Sequence, residues 1–285
     1  MRPDLTLLRE LIEASPGFGR GRAGAVPEPL IREAETRVGP LPPSYRWWLA
    51  EYGHGRAGGA DIATVGPAGS ADDMYEAVTA AWRLDGDRLC FAVEPDCGDG
   101  YHFVLGRADE AGAGAGPGTG AGTGTGAGTG TGAGTGAGTG EYPVVCRDGT
   151  DGCEYPVAES FAGFLAVLAA RSRGLRDGPN PAVARLWRST PGVLLDNGVH
   201  IYGPHLIQER NETFEVPRYA PGWVLVGDDS GGDGLLMRHH GRDRASVHRL
   251  GLGAVCEDVA TEGEWVTDDL LGWLRAGGFP GPVRP

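Results

Sequence analysis

Two stretches of the sequence, LCFAVEPDCGDGYHFVL at residues 89–105 and WVLVGDDSGGDGLLMRH at residues 223–239, align without a gap. Each has the pattern of an apolar strand, a turn rich in Asp and Gly, and a second apolar strand. Asp99 and Asp233 occupy the central position of the shared Gly-Asp-Gly. We therefore predict one β-hairpin in each half of the chain and interpret the pair as a tandem duplication. The alternative is a chance recurrence of strand, glycine turn and strand.

The two hairpins are followed, further along the chain, by similar helical patterns. In each pattern, apolar residues recur with a spacing that places them on one face of a helix. These residues are Phe161, Phe164 and Leu165 in the first half and Leu270, Trp273 and Leu274 in the second. The common order of strand, acidic turn, strand and aromatic helix favours duplication over chance.

Upstream of the first hairpin the pattern is helical. An N-terminal helix is predicted with one apolar face formed by Leu5, Leu8, Leu11 and Ile12. Residues 29–52 divide into two helices at Gly39-Pro40. The second of these helices has its apolar face at Tyr45, Trp48, Leu49 and Tyr52. Helices and hairpins together predict an α+β fold.

Composition is typical of two folded units joined by a turn-rich linker. The chain has 285 residues, of which 40% are hydrophobic, enough for two domains with real cores. We predict one domain at residues 1–175 and a shorter, related domain at residues 181–285, with the linker RDGPNP at residues 176–181. Residues 111–140 are almost entirely Gly, Ala and Thr. They are predicted to form a flexible insertion, because no side chain there is large enough to be buried.

The charge of the chain restricts its partners. A net charge of −13 disfavours nucleic acid and anionic membrane surfaces, and makes a basic protein the natural electrostatic complement. The longest apolar stretch, residues 161–170, is too short to span a bilayer, and charges interrupt the N-terminal 15 residues where a signal peptide would be apolar. We therefore expect a cytoplasmic protein with reduced cysteines. The sequence leaves the state of homo-oligomerisation open.

The first half resembles the SMI1/KNR4 (SUKH) family. Ile31 and Glu35 have the spacing of the acidic helix that opens the family's domain, Leu41-Pro42 matches its LP pair, and an aromatic helix ending in Gly53 follows. The strand, acidic turn, strand and closing helix are also similar. The resemblance covers residues 30–170 apart from the insertion, and it is weaker over residues 181–275.

This resemblance implies a fold and a function. The fold is a mixed sheet with helices packed on it, present here in two related domains. The function is non-catalytic protein binding without a cofactor, because the family has no common catalytic motif. Bacterial members mostly act as immunity proteins that bind and neutralise a cognate polymorphic toxin, often a nuclease. Fungal members are regulatory interaction proteins, so the alternative is a cytoplasmic scaffold without a toxin partner.

Candidate partner-binding residues lie in the two acidic turns and on one helix. The turns offer carboxylates to a basic partner from Glu94, Asp96 and Asp99 in the first half and from Asp228, Asp229 and Asp233 in the second. Trp47 adjoins Trp48, so it lies at the margin of the buried helical face. It is either an anchor for a partner or a cover for a neighbouring part of the same chain.

Metal and catalytic interpretations are less well supported. The turn at residues 228–233 departs from an EF-hand, and its Asp and Gly residues are typical of a hairpin turn. The pairs Cys90/Cys97 and Cys146/Cys153 are spaced more widely than zinc-knuckle ligands. The sequence has no HExxH, GxSxG or P-loop motif. We therefore predict no catalytic residues, no metal and no cofactor.

Overall fold

The computed structural model describes residues 3–18, 24–53, 55–65, 83–106, 140–241 and 243–278. Over these ranges the chain is an α+β protein with two antiparallel sheets, which confirms the predicted fold class. The predicted insertion at residues 111–140 lies outside the described residues except for Gly140. None of the helices in these ranges is long and apolar enough to cross a membrane.

In the part of the chain that the structure describes, three helices precede the first sheet and a fourth follows it. They are α1 (Leu5–Ala14), α2 (Glu28–Val38), α3 (Pro43–Glu51) and α4 (Phe161–Ser172). Asp4 caps α1 by accepting hydrogen bonds from two backbone amides of its first turn, and the hydroxyl of Ser160 caps α4 by accepting from the amide of Gly163. Helices α2 and α3 have proline in their first turns, where the fixed φ of the ring suits a helix.

The buried faces of these helices agree with the sequence pattern except at one position. The predicted apolar face of α3 is at most 3% exposed throughout. In α1, however, Leu5 is 40% exposed, and Leu7 is buried instead. The prediction for Leu5 was wrong because the buried stripe of α1 runs through residues 7, 8, 11 and 12, and leaves the first helical residue on the solvent side.

The first sheet has seven strands. They are β1 (Gly55–Ala57), β2 (Ala60–Ile62), β3 (Arg83–Asp85), β4 (Arg88–Glu94), β5 (Asp99–Val104), β6 (Val144–Arg147) and β7 (Glu154–Ala158). The spatial order is β1-β2-β4-β5-β6-β7, and β3 pairs with β4 beside β2. Every pairing described is antiparallel, whereas the family resemblance implies a mixed sheet. Neighbouring strands that follow one another along the chain need no crossover, so they pair antiparallel.

An aromatic cluster joins α3 and α4 to the first sheet. The rings of Phe91 and Phe103 stack with centroids 4.0 Å apart, and the ring of Tyr45 lies 5.7 and 5.2 Å from them. Phe161 of α4 lies 5.1 Å from Tyr45 in an edge-on arrangement. All four side chains are fully buried. Tyr45 remains satisfied because its hydroxyl donates to the backbone carbonyl of residue 63 at 2.8 Å.

Glu141, just after the insertion, holds two helix ends together. Its carboxylate is 8% exposed and accepts hydrogen bonds from the amide and hydroxyl of Ser44 at 2.9 and 2.8 Å. The Ser44 hydroxyl in turn accepts from the amide of Ala162 at 3.3 Å. Burial raises the pKa of Glu141, and the bonds from Ser44 oppose that shift. Ser44 is the second residue of α3 and Ala162 the second residue of α4. A single acidic side chain therefore links both N-terminal turns, which the helix dipoles favour.

The second half builds a six-stranded sheet after helix α5 (Pro181–Trp187). Its strands are β8 (Val193–Leu194), β9 (His200–Ile201), β10 (Trp223–Asp228), β11 (Asp233–Arg238), β12 (Val247–Gly251) and β13 (Glu264–Thr267). Four short helices complete it: α6 (Ile207–Thr213), α7 (Val216–Tyr219), α8 (Val259–Glu262) and α9 (Leu270–Arg275). A 3-10 turn, Leu252–Ala254, follows β12.

The two sheets share one strand order. The second sheet runs β8-β9-β10-β11-β12-β13, and these strands correspond in sequence to β1-β2-β4-β5-β6-β7 of the first. Each predicted hairpin lies at the centre of its sheet, and each last strand is followed by a helix whose predicted apolar residues are buried. The shared order supports the duplication hypothesis. Within the described ranges, β3 of the first half has no counterpart in the second half, and the second half has α6 and α7 between β9 and β10.

The two halves meet where α4 contacts the segment after α5. A Cβ atom on Gly163 would lie 1.9 Å from the carbonyl oxygen of Arg188, so the backbones touch at this point. The Arg188 carbonyl also accepts from the amide of Glu159 at 2.7 Å. The Ser160 hydroxyl donates to the carbonyl of Ser189 at 2.6 Å. Buried hydrophobic residues of both halves form one continuous core, so the two predicted domains pack as a single body.

A buried histidine lies close to this junction. His205 is 7% exposed, and neither ring nitrogen has a hydrogen-bond partner among the described residues. Burial lowers its pKa to about 4, and the nearby Arg173 at the end of α4 and His200 of β9 act in the same direction. Arg173 also donates to the carbonyl of Ala14 in α1 at 2.7 Å. His205 is therefore uncharged at pH 7. It lies near Arg173, which links the end of α4 to α1.

We expect Gly163→Ala to lower the free energy of unfolding by about 1–3 kcal/mol, because a methyl group is forced against the Arg188 backbone. Both sheets should unfold together, which denaturant titrations followed by circular dichroism and tryptophan fluorescence will show. The matched control is Gly253→Ala, since an added Cβ there meets nothing within 4 Å. Equal stability of Gly163→Ala and the wild type would contradict the tight contact.

The burial of His205 and its lowered pKa predict that the free energy of unfolding depends on pH. Since its pKa falls from 6.5 to about 4 on folding, the unfolded chain takes up the proton first as the pH decreases. The contribution of neutral His205 to the free energy of unfolding is complete above pH 6.5 and is lost as the pH falls toward 4. The loss amounts to about 3 kcal/mol. Denaturation measured across this range should show a weaker acid dependence for His205→Gln, whereas the exposed control His240→Gln should follow the wild type. An unchanged acid dependence in His205→Gln would rule this explanation out.

Candidate functional site

The first acidic turn joins β4 to β5 and leaves one of its carboxylates exposed and without an internal partner among the described residues. Glu94 and Asp99 pair across the end of the hairpin. The Glu94 carboxylate accepts from the hydroxyl of Tyr101 at 2.9 Å, and that of Asp99 accepts from a backbone amide of the β6–β7 turn at 3.1 Å. Asp96 is exposed and makes no hydrogen bond or ion pair within the described part of the chain. Of the three predicted carboxylates, Asp96 is therefore the one most available to a partner.

In the second acidic turn all three predicted carboxylates have partners within the chain. Asp228 accepts from the amide of Ser230 at 2.8 Å and from the hydroxyl of Tyr202 at 2.5 Å. Asp229 accepts from two backbone amides of the turn at 2.8 and 3.0 Å. The carboxylate of Asp233 lies 3.9 Å from a guanidinium nitrogen of Arg249. These contacts shape the turn and at the same time keep three negative charges at its tip.

The hydrogen bonds of the second turn also keep Asp229 ionised. Burial by itself would raise the pKa of this carboxyl group. The amides of Asp233 and Gly231 outweigh burial and hold the pKa below its ordinary value. Asp229 therefore remains an anion in mildly acidic solution.

Glu94 and Asp228 hold equivalent positions, at the ends of β4 and β10, and each accepts a hydrogen bond from a buried tyrosine. The tyrosines come from different places: Tyr101 lies in β5 and Tyr202 directly follows β9. Burial and then the bond to the carboxylate raise the pKa of both hydroxyls, so both stay protonated donors. Glu94 and Asp228 thus serve first to anchor the hairpins.

Trp47 packs against its own chain. Its half-buried ring lies 5.7 Å from that of Tyr52, and the guanidinium of Arg9 lies 5.4 Å from the Trp47 ring. Arg9 belongs to α1 and also pairs with Glu51 of α3 at 3.0 Å. The placement favours the second alternative from the sequence, in which Trp47 covers a neighbouring helix.

One group of possible metal ligands occurs in the described residues. Glu94, Cys97 and Asp99 bring two carboxylate oxygens and one thiol within 4.8 Å of one another. Three donors fall short of the four-ligand set of structural zinc, and both carboxylates already accept hydrogen bonds. Cys90 and Cys146 are buried in strands, and the cysteine pairs form no common ligand group within the described ranges. The residues present therefore give no support for a metal site.

An apolar groove of about 220 Å³ lies where the linker passes the second sheet. Its apolar walls come from the linker, α6, α7 and β10, and include Leu175, Pro179, Ile207, Pro217, Trp223 and Val224. No sequence pattern predicts this groove, because its residues belong to segments that share no periodicity. Only the folded arrangement brings them together.

Neither protein-family models nor curated proteins match this chain. The resemblance to the SMI1/KNR4 family therefore rests on the sequence features quoted above, and its functional implications remain proposals.

The hydrogen bond between Tyr202 and Asp228 makes a prediction about stability. We expect Tyr202→Phe to lower the free energy of unfolding by about 1.5–3 kcal/mol, because it removes a buried hydroxyl that donates to a charged acceptor. Thermal and denaturant unfolding measure the change. The control is Tyr219→Phe, which removes the hydroxyl of an exposed tyrosine and should have little effect. If both variants match the wild type, the bond does not anchor the hairpin.

Proposed function

We propose that this protein is a non-catalytic, cytoplasmic binding protein of the SMI1/KNR4 type that neutralises a toxin-like protein by direct contact. The observation that carries the proposal is the repeated hairpin. In each half an acid-rich turn joins the two central strands of a sheet, and the two sheets share one strand order. In a chain with a net charge of −13, these turns favour a basic partner, such as a nuclease domain.

The two turns contribute in two ways. Asp96 is exposed, so it can form a direct contact with a cationic side chain. The other carboxylates are held by internal hydrogen bonds, but their charges still act on an approaching protein over about 10 Å at 0.1 M salt. We expect the resulting field to increase the rate of association more than the strength of the final complex.

The mechanism is occlusion. A rigid two-sheet body binds over a functional surface of the partner and blocks access to it, so no catalytic group of this chain is required. The shared core of the two halves supports rigidity, because neither half can tilt without breaking the contact between α4 and the segment after α5.

Affinity capture from the native cell tests the proposal. The purified chain is the bait, and bound proteins are identified by mass spectrometry. A stoichiometric partner with a toxin domain, whose activity is lost on adding the bait, is the expected result. A stoichiometric partner without such a domain favours the regulatory scaffold. Capture of no specific protein, from a lysate that contains the products of neighbouring genes, contradicts both.

Once the partner has been identified, Asp96→Lys should reduce the rate of association with it by roughly tenfold at low salt and flatten the salt dependence of that rate. The dissociation rate should change less. Surface plasmon resonance over a series of salt concentrations measures both rates. Asp177→Lys is the matched control, because it makes the same charge reversal at an exposed position of the linker. Equal rates for the two variants would remove the first acidic turn from the binding surface.

A further inference from the structure

The groove beside the linker has room for a small molecule. Its volume of about 220 Å³ is below the ~300–1,000 Å³ of sites for drug-sized ligands. A single aromatic ring with a small substituent fits such a space. The linker, α6, α7 and β10 converge on the groove, which makes it a compact concavity instead of a long trough for an extended peptide.

The residues that line the groove carry no charge at pH 7. Among the described residues of the lining there is no Asp, Glu, Lys or Arg. The guanidinium of Arg238 stacks on the ring of Trp223, 4.4 Å from its centroid, but Arg238 does not line the groove. His239 does, and burial together with the neighbouring His240 lowers its pKa, so its ring is neutral. An ion would lose hydration in the groove without meeting a counter-ion, so the lining favours an uncharged ligand.

The apolar part of the lining suits a flat ring. Ile207, Trp223 and Val224 line the groove and are at most 7% exposed, so α6 and β10 close its inner side. Leu175 and Pro179 are half-buried and close the side of the linker. An aromatic ligand can pack against the indole of Trp223 in an offset-stacked or edge-on arrangement, which adds to the gain from apolar burial.

One polar side chain of the lining is already used within the chain. Asn211 donates hydrogen bonds to the carbonyls of Ile207 and Leu225, both at 2.8 Å, and accepts from the amide of Leu225 at 2.9 Å. Asn211 therefore holds α6 against β10 and offers nothing to a ligand.

The two other polar side chains of the lining, Gln208 and His239, offer hydrogen-bond acceptors. The side-chain amide nitrogen of Gln208 donates to the carbonyl of Arg173 at 3.4 Å. The Oε1 atom of Gln208 accepts no hydrogen bond from the described part of the chain and faces outward on α6. A neutral imidazole also has one nitrogen that accepts. A ligand that donates a hydrogen bond therefore complements this end of the groove.

We propose that the groove binds a small, uncharged aromatic molecule that carries a hydrogen-bond donor, such as a phenol, distinct from the protein partner proposed above. The ring packs against Trp223 and Leu175, and the hydroxyl donates to Oε1 of Gln208. Leu175 directly precedes the linker, whereas Trp223 belongs to the second sheet. A bound phenol therefore fastens the linker to the second sheet and stabilises the folded chain.

The test is a titration of the ¹⁵N-labelled full chain with phenol, benzonitrile and benzoate, followed by nuclear magnetic resonance. The indole signal of Trp223, assigned with Trp223→Phe, reports binding at the groove. Phenol should shift this signal with a Kd on the order of 1 mM. Benzonitrile, an uncharged ring that accepts but cannot donate, should bind about fivefold more weakly. Benzoate should bind about tenfold more weakly than phenol, because its charge has no counter-ion in the lining.

Two variants and one control complete the experiment. Gln208→Leu should remove the preference for phenol over benzonitrile, because it removes the acceptor and keeps a side chain of similar size. Leu175→Ala should weaken the binding of both molecules by about fivefold, because it removes apolar contact. Glu209→Leu places the same leucine at the next exposed position of α6, outside the lining, and should bind like the wild type. Circular dichroism confirms that each variant is folded.

Three outcomes overturn the proposal. The first is that phenol leaves the Trp223 signal unchanged at about 10 mM, well above the expected Kd. If N-acetylphenylalanine amide shifts the signal under those conditions, the groove receives a side chain of a protein partner instead. The second is that benzoate binds as tightly as phenol. The third is that phenol and benzonitrile bind equally to the wild type, which excludes Gln208 as the acceptor. None of these outcomes depends on the result of the affinity capture.

Discussion

The contact between α4 and the segment after α5 is the constraint on which the rest of the structure depends. Nine of the twelve residues of α4 are buried, so this helix is enclosed on nearly all sides. One side meets the aromatic cluster of the first sheet, and Gly163 lets the backbone of Arg188 approach on another. Because α4 belongs to the cores of both halves, the two halves behave as one body. That rigidity is what a protein acting by occlusion needs.

Under the proposed function, the carboxylates of the acidic turns serve both folding and recognition. Tyr101 and Tyr202 engage Glu94 and Asp228, and backbone amides engage Asp229, so these carboxylates hold the turns in one conformation. Hydrogen bonds satisfy a carboxylate without removing its charge, and the field of both turns remains negative. These carboxylates make their short-range contacts within the chain, whereas their long-range attraction remains available to the basic partner proposed above.

Local patterns in the sequence predicted the local structure well. The hairpins around Asp99 and Asp233 and the buried face of α3 follow from periodicity and turn chemistry over a few residues. The tyrosine–carboxylate bonds and the groove around Trp223 depend on segments far apart in the chain, for which one sequence carries no signal. Periodicity was not sufficient even within α1, where Leu5 is exposed, because the surface that a helix packs against decides which of its apolar residues are buried.

Hydrogen–deuterium exchange on the complex with the captured partner tests the central claim most directly. Exchange is compared peptide by peptide between the free and the bound chain. The account predicts slower exchange in the turn around Asp96, in the equivalent turn at residues 228–233, or in both, with little change at the junction between the halves. Protection confined to other surfaces, with both turns exchanging as in the free protein, would contradict it.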